Sequence, residues 1–196
     1  MATKFVIGLG NPGEEYVWSR HSSGFIVIDQ LAKDLGVKKD DWKLDKYSGA
    51  MTAKTKVKSQ SVVLVKPMKM MNNSGKVVAQ VVGKTKPEHI LVMYDDKDLP
   101  LGTLRVRKMG SNGGHKGLGG ILRLLKTEEV GRLRFGVGPR SAGGIKNIVD
   151  YILGEFKPAE QKVVKSLAKK ASQAVQTFIL EGIDATMNEW NTKFAK

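Results

Sequence analysis

Apolar residues in this chain keep two rhythms. Short, nearly continuous apolar or β-branched runs bounded by Gly, Pro, Asp or Asn occur at 4–9 (KFVIGL), 61–66 (SVVLVK), 89–94 (HILVMY), 103–107 (TLRVR) and 132–138 (RLRFGVG). Each predicts a strand. Looser alternation in YSGAMTAKTKVK predicts a hairpin-like region within 47–58. Elsewhere the spacing is three and four. Phe25, Ile28, Leu31, Ala32 and Leu35 keep it over 24–35, and 74–83 and 117–126 repeat it. It is clearest over 158–181, where Val164, Leu167, Ala168, Ala171, Val175 and Phe178 share a face and Pro158 stands near the start. Strands alternating with helices predict an α/β, three-layer sandwich around a mostly parallel sheet. No internal repeat or linker divides residues 1–196, so one domain is expected, with SAGGIKN (141–147) as a mobile loop within it.

Three polar stretches sit where the predicted strands end: 8–24 (GLGNPGEEYVWSRHSSG), 66–75 (KPMKMMNNSG) and 94–102 (YDDKDLPLG). Sheets of this kind bind ligands at the carboxyl ends of their strands. The stretches supply His21, Asp95, Asn11 and Asn72, the parts of a water-activating hydrolytic site. A neutral imidazole is a usable base near neutral pH, and a carboxylate beside it fixes its tautomer and stabilises the imidazolium. Asp95 or Asp96 should therefore project into a cleft, whereas Asp98, before Leu99-Pro100, should stabilise the turn. Asn73 or Ser74 is the expected helix cap, which frees Asn72 to donate to a developing oxyanion.

Charge changes the picture. The 33 Lys and Arg exceed the 19 Asp and Glu, for a net charge of +14. Residues 101–140 hold Arg105, Arg107, Lys108, Lys116, Arg123, Lys126, Arg132, Arg134 and Arg140 against only Glu128 and Glu129. A polyanion such as a nucleic acid is the expected partner. The loop SNGGHKGLGG (111–120) leads into a helix whose N-terminal amides favour an anion beside Lys116.

Other chemistries are excluded or disfavoured. Zero cysteines remove disulfides, thiol nucleophiles and cysteine-ligated zinc, and with only His21, His89 and His115 no metal site is expected. His89, at a strand start, is expected on the surface. No apolar run approaches the ~18 residues of a membrane span, the N-terminus does not read as a secretory signal, and a cytoplasmic location is expected. GLGNPG matches a dinucleotide fingerprint, but Pro12 and irregular chain follow where a helix should begin. Gly83-Lys84-Thr85 resembles the end of a P-loop, but Val78 occupies the position of its first glycine.

Taken in order, GLGNPGEEYVWSRHSSGF, KPMKMMNNSG, DDKDLPLG and GSNGGHKG closely resemble the bacterial-type peptidyl-tRNA hydrolases, and RLRFGVGPR and IVDYILGEF extend the match over nearly the whole chain. The resemblance implies a monomeric enzyme with a mixed central sheet and no metal or organic cofactor. Its reaction would be cleavage of the ester joining a peptide to the 3′ ribose of tRNA. His21 would activate water, Asp95 would hold it in its basic form, and Asn11 would distinguish peptidyl from free aminoacyl substrates. Asn72 would contact substrate and water, with Met71 beside it. Tyr16, Met70, Lys116 and His115 would line the substrate, and Arg105, Arg107 and Arg134 would meet RNA phosphate. The chain departs from the family pattern at Met70, where an aromatic is common, and at Ser22, Lys97 and Lys116. A catalytically silent RNA-binding protein of the same fold and a nucleotide-dependent oxidoreductase are the competing readings.

Overall fold

The computed structural model describes residues 2–139 and 146–194. Seven strands form one sheet: β1 (Lys4–Gly8), β2 (Lys43–Asp45), β3 (Ala50–Val57), β4 (Gln60–Pro67), β5 (Ile90–Pro100), β6 (Leu104–Arg107) and β7 (Gly131–Gly138). Their order is β2-β3-β4-β1-β5-β7-β6. The central four, β4, β1, β5 and β7, run parallel, and antiparallel strands close both edges. Parallel strands are covered on both faces, which is why VIG and ILVM read as unbroken apolar runs.

Helices cover the two faces. One face of the sheet, with Val6, Leu64, Met93 and Phe135, packs against α1 (Ser23–Asp34), α5 (Pro158–Glu181) and α6 (Ile183–Thr192). The other, with Ile7, Val65, Val92 and Tyr94, packs against α2 (Ser74–Val82) and α3 (Lys116–Leu125). Each fully buried aliphatic side chain in these layers contributes about 1.5–3 kcal/mol. A short helix, α4 (Ile148–Leu153), lies at the sheet's carboxyl edge against the His21 turn.

Two close approaches position the site. A Cβ on Gly24 would lie 2.4 Å from the backbone of Leu9 and of Met93, so only glycine lets α1 start against the ends of β1 and β5. A Cβ on Gly75 would lie 2.3 Å from the Gly120 carbonyl carbon, so α2 and α3 cross backbone to backbone. That crossing brings the loop before α2 beside the loop before α3.

The α/β three-layer expectation holds, and the predicted helices match to within a residue or two. The hairpin-like region proves to be β3 alone, paired with β2 on one side and β4 on the other. The expected strand at 89–94 continues through a bulge to Pro100. β2, α4 and α6 lay outside the sequence expectations. Most of the expected loop at 141–147 lies outside the described residues; its end, Asn147, caps α4 by accepting from Val149 N–H and Asp150 N–H. His89 is half-buried rather than superficial, with Nε2 3.5 Å from Glu88.

Candidate active site

His21 lies in a 3₁₀ turn, Arg20–Ser22, between β1 and α1. The turn is anchored on both sides of the imidazole. Ser19 Oγ accepts from His21 N–H at 3.2 Å and donates to the Ile152 carbonyl at 3.1 Å. Arg20, itself buried, donates to the carbonyls of Gly154 (3.2 Å) and Glu155 (2.8 Å) and pairs with Glu160 at 2.8 Å. Sequence reasoning assigned Arg20 no role. Its partners are over 130 positions away, and no local pattern reports them.

Asp95 ends the apolar run of β5, and one of its oxygens serves two imidazoles. Oδ1 lies 2.9 Å from His21 Nδ1 and 3.0 Å from His115 Nε2. His115 is the N-cap of α3, where its Nδ1 accepts the Leu118 N–H at 3.2 Å. Nδ1 is therefore unprotonated, and Nε2 carries the hydrogen donated to Asp95. His115 lines the cleft but spends both ring nitrogens within the protein, one on the Leu118 N–H and one on the Asp95 carboxylate. By the same logic His21 Nδ1 donates to Asp95, leaving Nε2 as the basic lone pair facing the cleft. Burial alone would raise the Asp95 carboxyl, but the two imidazoles, His115 foremost, hold it well below the usual carboxylate range. Burial pushes the Tyr94 phenol, edge-on to His115, up to about 12 against the pull of Arg134 and Arg132.

The asparagines complete this edge. Asn11 Oδ1 accepts the Met71 N–H at 2.9 Å, which fixes the amide so that its NH₂ is the free half. Ser22 Oγ accepts the Asn11 N–H at 3.2 Å, tying the first loop to the histidine turn. Met71 is buried, while Asn72 is exposed on the cleft wall. Asn73 occupies the cap position of α2 without a side-chain bond, so the helix begins through the 3₁₀ turn Met71–Asn73 instead of through a capping oxygen.

Asn11, His21, Met71, Asn72 and Asp95 line a cleft of about 590 Å³ together with Met70, Arg107 and Arg134. Lys116 stands exposed on its wall, and Ile148, Val149, Ile152 and Leu153 of α4 close it opposite. Tyr16 and Arg105 are half-buried and do not line it. Asp95 and Asp96 both line the cleft as expected, but the turn role expected of Asp98 falls to Asp96, whose Oδ1 accepts the Asp98 N–H at 2.9 Å, while Asp98 pairs with Lys97.

Not every arginine of the basic segment offers free charge. Arg132 is only 2% exposed and donates to the carbonyls of Gly110 (2.6 Å), Ser111 (2.9 Å), Glu128 (2.8 Å) and Val130 (3.1 Å). It clips the glycine-rich loop to the sheet. Arg134 Nε pairs with Asp96 Oδ2. Arg107 lines the cleft with no acid paired to it among the described residues.

His21, Asp95 and His115 also offer ligand atoms within 4.8 Å of one another. Both contacts to Asp95 Oδ1 have hydrogen-bond lengths, and the Leu118 N–H fixes the tautomer that donates from His115. The trio reads as a proton-holding set.

Relatives share this arrangement of sequence and fold. A family model described as peptidyl-tRNA hydrolase matches residues 5–196. The chain is 40% identical to a peptidyl-tRNA hydrolase of Thermoanaerobacter sp. (strain X514) over 188 residues, 95% of this chain and 98% of that one. It is 39% identical to one from Elusimicrobium minutum (strain Pei191), covering 96% and 98%. The crystal structure of peptidyl-tRNA hydrolase from Acinetobacter baumannii superposes with a TM-score of 0.87 at 30% identity, covering 96% of this chain and 94% of that one. A Campylobacter jejuni nucleosidase shares the fold alone, at a TM-score of 0.52 and 11% identity. With the family model spanning both the histidine turn and the loops that meet it, the chain belongs to the peptidyl-tRNA hydrolase family.

Proposed function

We infer that this protein hydrolyses the ester between a peptide and the 3′ ribose of tRNA, releasing both for reuse. The observation that carries the mechanism is the His21–Asp95 pair on a cleft also lined by Arg107 and Arg134. His21 Nε2 takes a proton from water as the water oxygen bonds to the ester carbonyl carbon. The imidazolium, balanced by Asp95, then returns that proton to the ribose 3′ oxygen as the C–O bond breaks. Asn72 and the free NH₂ of Asn11 are the donors placed to meet the oxyanion. Arg107 and Arg134 meet phosphate, with Arg105 outside the cleft on the same strand as Arg107. Lys116 adds charge at the start of α3, and Met70 supports the RNA end at the rim. No metal or organic cofactor takes part in this scheme. The whole chain works as one domain and as a monomer in the cytoplasm; no helix among the described residues is long and apolar enough to cross a membrane.

Single-turnover hydrolysis of labelled peptidyl-tRNA, run beside binding of uncharged tRNA, tests the reading. His21→Ala should lose about 10²–10⁴ in rate while keeping tRNA affinity. More than half of wild-type activity in that variant would overturn the assignment. Binding without any hydrolysis by the wild type would favour the catalytically silent alternative.

A further inference from the structure

Among the described residues, the most exposed large apolar or aromatic side chain is Tyr47, at 85%. It stands on the turn joining β2 to β3. Because β3 is antiparallel to β4, and β4 runs parallel to β1, this turn projects from the same edge of the sheet as the catalytic loops. Register brings the turn to the rim of the cleft. Ala50 pairs with Pro67, the Met68 N–H donates to the Gly49 carbonyl at 2.9 Å, and the Lys69 side chain lies against Gly49. The next residue, Met70, is exposed and lines the cleft.

Tyr47 is displayed on a fixed backbone. Asp45 Oδ1 accepts the Tyr47 N–H at 3.0 Å, and Oδ2 accepts the Ser48 hydroxyl at 2.6 Å. The Gly49 N–H donates to the Asp45 carbonyl at 2.8 Å, with Gly49 at φ 75 where a side chain would be strained. Lys43, Lys46 and Lys69 are all exposed: Lys46 precedes Tyr47 in the turn, Lys43 begins the strand that leads into it, and Lys69 lies against Gly49 at its end; Asp45, the only acid in the turn, has both oxygens engaged within it.

An exposed aromatic ring on a fixed turn that also carries cations suits an unpaired base whose phosphates meet the ammonium groups. An apolar partner would gain nothing from the lysines, and a duplex presents no free base face along its length. We propose that Tyr47, with Lys46 and Lys69, forms a stacking subsite for a base in the single-stranded 3′ end of the RNA substrate, just outside the cleft. The proposal rests on the peptidyl-tRNA reading and extends it to a surface beyond the reacting atoms.

The test uses the full chain and two RNA hairpins, one with a CCA overhang and one whose overhang keeps its phosphates but lacks bases. Tyr47→Ala should weaken binding of the CCA hairpin about fivefold or more. Tyr47→Phe should bind it like the wild type, and neither variant should differ from wild type on the base-free hairpin. Because the ring is exposed, melting temperatures should match and rule out misfolding. Equal affinity of wild type and Tyr47→Ala for the CCA hairpin would overturn the subsite, as would the same loss on both hairpins. A loss seen only when a peptide is esterified to the RNA would assign the ring to the peptide and also overturn it. Hydrolysis of peptidyl-tRNA by the wild type is scored separately: cleavage together with equal CCA-hairpin affinities defeats the subsite alone, and absent cleavage defeats the functional reading.

Discussion

One carboxylate oxygen holding two imidazoles gives each histidine a distinct task. We propose that His21 keeps a nitrogen for chemistry, whereas His115, with both ring nitrogens engaged, positions Asp95 from the start of α3. His115→Ala removes a helix cap and a donor to the carboxylate together. His115→Asn separates the two, because its shorter amide can accept the Leu118 N–H but cannot reach Asp95. We expect both variants to lose about tenfold in kcat, near the lower end for a hydrogen bond to a charged group. Only the alanine should also lose about 1 kcal/mol of stability. Single-turnover rates and chemical denaturation check this, and restoration of kcat by asparagine would assign His115 to capping alone. At this scale the sequence was partly legible. Asp95 stood out as a polar residue ending an apolar run, and His21 as a histidine in the polar stretch that follows another. The task of His115 did not, because it depends on a meeting between positions 95 and 115 that only the folded α3 brings about.

Elements carry the site by how closely they approach. The crossing of α2 and α3 leaves no room for a methyl group, so Gly75→Ala should push the helices apart and move Asn72 relative to Lys116. Such overpacking costs about 1–3 kcal/mol. A lowered denaturation midpoint with weakened hydrolysis is expected, and wild-type values in both would refute the crossing's importance. Long elements announced themselves, α5 most of all, because many turns repeat one face. β2 spans three exposed residues and α4 a single six-residue stretch, too short for any period to accumulate. The Arg20 anchor was hidden for another reason: it joins a turn to backbone carbonyls, and carbonyls leave no trace in residue identity.

Over the whole molecule, net charge overstates the binding surface. Arg132 is consumed in holding the glycine-rich loop, and Arg134 shares its charge with Asp96. Arg107, which lines the cleft with no acid paired to it among the described residues, is the arginine we propose meets phosphate. Arg107→Ala should weaken tRNA binding and flatten its log–log salt dependence by about 0.7–0.9, measured by filter binding across a salt series. An unchanged slope would move the phosphate contact elsewhere. The basic segment was legible as composition, but which of its cations are spent internally became visible only with the backbone in place. Strand order has a further consequence, in the time domain. β7 lies between β5 and β6, so β6, made some 25 residues earlier, pairs with nothing until β7 arrives. The α4 wall comes later still. A copy of this protein halted on the ribosome before residue 131 therefore lacks both the strand and the wall that finish its cleft, and it cannot free itself; its release depends on molecules of the enzyme completed before it.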